Sequence, residues 1–245
     1  MERTVVVFHF GRSGSRVLGK LLGQHPDIGW GGEVLKTPEV ERFRERLTDP
    51  ESYDPFDHLA TLCEEREKPW LGIEIKFFHL RKRGVSLEDF VSRVAEMGCR
   101  HFVVLQRRNV LRKIVSSMVA KQTRSYHQAA DKAAELNTIE IDPAKVEIDA
   151  ESKPLLEFLD SYAADFARLG NLLSERQVLE MTYEDDILED PRHASARLCE
   201  FLGLPVHEPE VPFGRTNPFP LSEIVTNLDL VRSQLEGTPY AWMAE

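Results

Sequence analysis

Cysteine is scarce in this sequence, with three among 245 residues. Cys63, Cys99 and Cys199 are far apart, and no C-x-x-C pair occurs. The spacing of a zinc site or of a redox dithiol is therefore lacking. We predict three reduced, buried thiols and no metal site.

Basic residues are fewer than acidic ones: the sequence has 31 Lys and Arg residues and 41 Asp and Glu residues, and its net charge is −10. A basic surface for nucleic acid or for an anionic membrane is therefore not expected. No stretch of about 18 apolar residues is available to span a membrane. The first residues lack the charged region and cleavage site of a secretory signal. We expect a cytoplasmic protein with no nucleic-acid partner and no integral membrane segment.

What the sequence does contain is an alternation of apolar strands with amphipathic helices. Apolar, β-branched and aromatic segments predict strands at residues 4–10, 71–78, 101–106 and 177–181. Helical spacing predicts helices at residues 16–24, 35–47, 86–97, 110–121, 154–173, 191–202 and 226–235. This alternation predicts an α/β protein with a P-loop-like, three-layer fold, in which helices flank a central parallel sheet.

The length favours one domain over residues 1–245. Within it, residues 125–152 are polar and lack a continuous apolar face, so we predict an insertion beside the functional site. Residues 205–245 begin with a proline-rich stretch, and we expect them to form a C-terminal capping segment.

The first candidate site is Gly11-Arg12-Ser13-Gly14-Ser15-Arg16, here called the glycine-serine loop, between the first strand and the first helix. Glycines let backbone N–H groups approach an anion, and a helix N-terminus adds partial positive charge. The two hydroxyls and two guanidinium groups are further donors. The alternative is a polar turn that only caps the helix.

An overlapping segment, Gly14 to Lys20, has the Gly-x4-Gly-Lys spacing of an ATP-binding P-loop. In that register Leu21 replaces the Ser or Thr that would hold Mg²⁺. Apolar residues at helical spacing also place Gly19 and Lys20 inside the first helix. We therefore favour the loop at residues 11–16.

The second candidate site follows the third strand. Arg108 lies where the strand gives way to a loop, and Ser116 lies eight residues later in the next helix. In a parallel sheet such positions belong to the edge at which ligands bind. The alternative is a surface arginine and an ordinary helical serine.

Together these motifs resemble those of the PAPS-dependent sulfotransferases, in particular the bacterial and carbohydrate-type branch (PAPS is 3′-phosphoadenosine 5′-phosphosulfate). The resemblance implies that the glycine-serine loop holds the 5′-phosphosulfate and that Arg108 and Ser116 hold the 3′-phosphate. The Arg-Lys-Gly element of the cytosolic animal enzymes is absent, and Arg215 is a candidate to replace it. Residues 181–185, 202–204 and 227–240 also resemble family segments.

The resemblance also implies the reaction, which is sulfuryl transfer to a hydroxyl of a carbohydrate, a lipid headgroup or a small alcohol. PAPS would be the co-substrate and PAP (3′-phosphoadenosine 5′-phosphate) the product, without a metal. Glu33 after Gly31-Gly32 is the first candidate for the base, and His79 is the second. Lys76 lies in an apolar strand, where a lysine needs a partner such as Glu33 or the sulfate. Lys76 and Arg12 are expected to stabilise charge on the transferring group.

Two other functions remain open. A P-loop nucleotide kinase would need a Ser or Thr after Gly-Lys and an acidic ligand for Mg²⁺. A non-catalytic nucleotide-binding module would keep Arg108 and Ser116 but would not need Glu33.

Overall fold

A computed structural model describes residues 1–125, 128–129, 134–149, 151–214 and 216–245 of the chain. These residues divide into two compact units. The first comprises residues 1–106 and 169–210, and the second comprises residues 107–168 and 211–245. The single domain over residues 1–245 stays a prediction.

The described strands, in chain order, are β1 Thr4–His9, β2 Ile28–Gly32, β3 Trp70–Lys76, β4 His101–Gln106, β5 Gln128–Ala129, β6 Val146–Ile148, β7 Glu151–Lys153, β8 Gln177–Thr182 and β9 Phe213–Gly214. The described α-helices are α1 Ser15–Leu22, α2 Thr37–Arg44, α3 Pro55–Glu64, α4 Phe77–Lys82, α5 Leu87–Glu96, α6 Val110–Thr123, α7 Leu155–Leu173, α8 Arg192–Phe201, α9 Leu221–Ile224 and α10 Leu228–Leu235. Short 3₁₀ turns occur at Pro50–Ser52 and Ala241–Ala244, and one π-turn occurs at Tyr183–Ile187.

The first unit is built on a five-stranded parallel sheet in the order β2-β3-β1-β4-β8. Every residue of the central strand β1 is buried, because helices cover both faces. On one face, Val5 and Val7 pack with Leu18 of α1 and Leu198 of α8. The predicted α/β, three-layer arrangement around a parallel sheet is confirmed.

The opposite face of the sheet carries an aromatic cluster centred on Phe8. Its ring lies 5.9 Å edge-on from Phe90 of α5 and 6.3 Å from Phe77 of α4, between ring centroids. Helix α5 begins as the sequence predicts, because the Ser86 side chain accepts a hydrogen bond from the backbone N–H of Asp89 at 3.0 Å. All three cysteines are buried and free, as predicted.

Two local predictions were wrong. Residues 28–32 were not among the predicted strands, but they pair with β3 as the edge strand β2. The strand predicted at residues 71–78 ends at Lys76, and helix α4 begins at Phe77. This earlier end brings His79 onto the first turn of a helix directly beyond the sheet.

The second unit contains α6, α9, α10 and most of α7, with two small two-stranded sheets, β5-β9 and β6-β7. Ile139, Ile141, Val146 and Ile148 are buried. The described part of segment 125–152 therefore contributes to a core, which its polar composition did not indicate. Among the helices of the described ranges, none is both long enough and apolar enough to cross a membrane.

Candidate active site

The glycine-serine loop leaves β1 at the carboxyl edge of the sheet and leads into α1. Gly14 has φ 84° and precedes the helix, and Arg12 also has a positive φ of 70°. A Cβ atom on Gly14 would lie 2.7 Å from Ile187 Cδ1 and 3.2 Å from Tyr183 Cδ2. The π-turn after β8 thus packs directly against the loop, and only glycine fits at this position.

Gly14→Ala is expected to destabilise the protein by about 2–5 kcal/mol, the sum of the left-handed backbone cost and the cost of overpacking. Urea or thermal unfolding measures this loss. Gly170→Ala is the matched control, since Gly170 lies in α7 with no atom within 4 Å of the added methyl. Equal stability of the two variants would show that the loop tolerates a side chain at residue 14.

The two serines of the loop direct their hydroxyl groups inward. Ser13 is 1% exposed, and its Oγ donates a hydrogen bond to the Phe10 carbonyl at 2.8 Å. The Ser15 side chain is 7% exposed, and its interaction with the buried Glu74 lowers the pKa of that carboxyl group. In this arrangement the serines shape the loop. The other groups of the loop that attract an anion are its backbone N–H groups and the guanidinium groups of Arg12 and Arg16.

Three of the predicted side chains meet beside the loop. Lys76 Nζ lies 2.7 Å from Glu33 Oε1, and His79 Nε2 lies 3.7 Å from Glu33 Oε2. The Lys76 ammonium also lies 3.5 Å from the position of a Cβ on Gly11. Of the two partners considered for Lys76, the structure shows Glu33, because β2 and β1 both pair with β3 and end at the same edge of the sheet.

The surroundings of Glu33 and His79 differ. The Glu33 side chain is 26% exposed, whereas that of His79 is 5% exposed. Burial first and the charge of Lys76 second lower the pKa of His79 to about 4, against the opposing charge of Glu33. His79 is therefore neutral at pH 7. Glu33 is the more exposed of the two side chains.

One buried acid of the site was missed in the sequence. Glu74 lies two residues before Lys76 on β3 and is 5% exposed. Trp30 Nε1 donates to its Oε1 at 2.8 Å, and His9 Nε2 lies 3.0 Å from its Oε2. The signal was present, since a charged residue in an apolar strand is the feature that singled out Lys76.

The residues assigned to the 3′-phosphate lie in the second unit. Arg108 is exposed and lies between β4 and α6, whose first turn is capped by the Asn109 side chain. Ser116 is in α6, as predicted, and is 5% exposed. Arg215 lies outside the described residues.

Trp30 is packed between a helix and a strand of the first unit. A Cβ on Gly19 of α1 would lie 2.2 Å from its Nε1, and a Cβ on Gly72 of β3 would lie 2.2 Å from its Cε3. The indole therefore fills a slot between a helix and a strand that two glycines leave open. Gly19 has a packing role here, and Lys20 follows it within α1.

Comparison with known proteins shows likeness along nearly the whole chain. No protein-family model matches. Nodulation protein H of Rhizobium meliloti is 25% identical over 248 residues, which cover 98% of this chain and 94% of that protein. The same protein of Rhizobium meliloti strain 1021 is 25% identical over 238 residues, which cover 94% of this chain and 90% of that protein.

Among solved structures, a sulfotransferase from Alicyclobacillus acidocaldarius superposes with a TM-score of 0.56 and 15% sequence identity. The match covers 99% of this chain and 92% of that one. The chain therefore has a sulfotransferase fold. The resemblance that the sequence motifs indicate is confirmed at the level of the fold.

Proposed function

We propose that this chain, which has the fold of a sulfotransferase, transfers the sulfuryl group of PAPS to a hydroxyl group of a carbohydrate or other small acceptor. The observation that carries the proposal is the Glu33–Lys76 ion pair, with its 2.7 Å contact, beside Gly11 at the carboxyl edge of the sheet. It places a candidate base and a cation next to a loop suited to anions, and sulfuryl transfer needs all three.

The proposed chemistry is an in-line displacement with charge on the transferring and leaving oxygens, as in phosphoryl transfer. Glu33 accepts the proton of the acceptor hydroxyl while that oxygen forms a bond to sulfur. The bond between sulfur and the bridging oxygen of the 5′-phosphate breaks, and PAP leaves with the electron pair. Lys76 and Arg12 stabilise the negative charge that develops in the transition state. One such contact lowers the activation barrier by about 3 kcal/mol.

The donor-binding roles follow from the motifs. We assign the 5′-phosphosulfate to the glycine-serine loop, where a backbone turn, a helix N-terminus and two arginines occur together. We assign the 3′-phosphate to Arg108 and Ser116 by resemblance. Arg215 remains a proposal for a donor contact.

The kinase alternative finds no support in the first unit. Its P-loop register would require a loop at Gly19 and Lys20, but both residues lie within α1. The presence of a glycine at position 19 is explained by the indole of Trp30, which packs against it and leaves no room for a side chain.

The proposed donor is tested by calorimetry with PAP, AMP, ADP and ATP in EDTA. We expect PAP to bind at least about tenfold more tightly than the other three, because only PAP has a 3′-phosphate for an arginine to bind. No binding of PAP, together with ATP binding that Mg²⁺ restores, would contradict the sulfotransferase proposal and favour a kinase.

A further inference from the structure

A buried carboxylate lies directly behind the glycine-serine loop. Glu74 is on β3 between Ile73 and Ile75, which are at most 1% exposed. A carboxylate in such surroundings is costly unless several donors compensate its charge. Glu74 is therefore a residue whose contacts need an explanation.

Its contacts come from three elements around the loop. Trp30 of β2 donates to Oε1 at 2.8 Å, and His9 of β1 faces Oε2 at 3.0 Å. Ser15 of α1 interacts with the same carboxylate and lowers its pKa. Burial alone would raise the pKa of Glu74, but the contacts with His9, Trp30 and Ser15 outweigh it and lower the pKa to about 2. The carboxylate is therefore ionised at neutral pH.

These contacts reach both ends of the loop. Towards its far end, Ser15 interacts with Glu74 and lowers the pKa of the carboxyl group. At its near end, His9 Nδ1 lies 3.0 Å from the Phe10 carbonyl, which also accepts the hydrogen bond from Ser13 Oγ at 2.8 Å. One carboxylate thus connects to the residues immediately before the loop and to the residue that begins α1.

The Trp30 contact extends the same arrangement to the neighbouring strand. Its indole is held between Gly19 and Gly72, so the Nε1–H that it donates to Glu74 has a fixed direction. Trp30 lies on β2, the strand that ends one residue before Glu33. Glu74 therefore contacts the strand that leads directly to the candidate base.

We propose that Glu74 is a positioning residue that holds the glycine-serine loop in the shape that binds the 5′-phosphosulfate, through Ser15 and through His9. The proposal rests on the proposed function for the identity of the ligand, but the effect on the loop does not depend on it. A negative charge behind an anion site opposes anion binding. If charge were the whole effect of Glu74, removing it would tighten anion binding. Loss of positioning would weaken it instead.

The test compares Glu74→Gln with Thr4→Val. Thr4 is buried at the start of β1, the end of the strand away from the loop, and its Oγ1 contacts Cys63 Sγ at 3.4 Å. Thr4→Val is the matched control because it also removes one buried polar contact. In Glu74→Gln we expect amide hydrogen exchange of residues 11–16 to accelerate and PAP to bind more weakly, each by about 10- to 100-fold. In Thr4→Val both values stay within about twofold of wild type.

The proposal is overturned if amide hydrogen exchange of residues 11–16 is equally fast in Glu74→Gln and Thr4→Val. It is also overturned if PAP binds Glu74→Gln as tightly as wild type or more tightly. If Glu74→Gln does not fold, Trp30→Phe decides, since it keeps an aromatic ring and removes only the Nε1–H donor. We expect Trp30→Phe to accelerate amide exchange of residues 11–16 and to weaken PAP binding, each by a smaller factor than Glu74→Gln. Should the wild-type protein bind no PAP, the proposed function fails, and the exchange measurement still decides whether Glu74 orders the loop.

Discussion

Glu33→Gln is expected to lower kcat for sulfuryl transfer by roughly 10²- to 10⁴-fold, the usual contribution of a general base. The amide keeps the size of the side chain and still offers Lys76 an oxygen, but it cannot take the proton of an acceptor. Binding of PAP should stay within about twofold of wild type, because the loss falls on the transition state. Release of PAP from PAPS, with an acceptor found by screening carbohydrate and small alcohol hydroxyls, measures the turnover.

The matched control is Glu39→Gln. Glu39 lies on α2 and pairs with Arg42 at 2.6 Å on the surface of the same unit. This variant removes the same charge and one ion pair away from the loop, and we expect wild-type turnover. If Glu33→Gln retained the turnover of the control, Glu33 would not be the base. His79→Gln would then be the variant to measure.

Arg108→Ala is expected to weaken PAP binding by about 10- to 100-fold, the cost of losing a charge-assisted hydrogen bond to a phosphate. Binding of ADP should change by less than about twofold, because ADP lacks the 3′-phosphate that Arg108 is proposed to hold. Calorimetry with both nucleotides measures the difference. It also separates recognition of the 3′-phosphate from a general loss of positive charge.

Arg100→Ala provides the matched control for this second prediction. Arg100 is exposed and directly precedes β4, whereas Arg108 follows the same strand. The two variants therefore change the net charge equally at opposite ends of one strand. The proposed role of Arg108 would be removed if Arg108→Ala lost affinity for PAP and for ADP equally. It would also be removed if Arg100→Ala lost as much PAP affinity as Arg108→Ala.

The regular elements of the fold follow closely from the sequence because their signals are local. Strands β1 and β4 are continuous apolar runs that end at a polar segment, and helix α5 has a serine cap and a regular apolar face. Each signal acts within a few residues. The strand–loop–helix order around Gly14 is local in the same sense, and it sufficed to place the glycine-serine loop.

Strand β2 was not predictable in this way. It contains Gly29, Gly31 and Gly32 among its five residues, and glycine disfavours an isolated strand. The strand forms because β3 offers it an edge and because Gly72 and Gly19 leave room for the Trp30 ring. These neighbours are distant in sequence, so only the packed structure brings them together.

At the candidate site, too, some features follow from the sequence and others only from the tertiary structure. The sequence by itself determined the sulfotransferase-like motifs, the α/β class and the need of Lys76 for a partner, since each rests on residue type, spacing or the cost of a buried charge. Only the tertiary structure decided that Glu33 is that partner and that His79 lies beside them. It also decided that Glu74 lies against His9 and Trp30 behind the loop. Those contacts depend on the parallel pairing of β1, β2 and β3, which joins residues far apart in the chain.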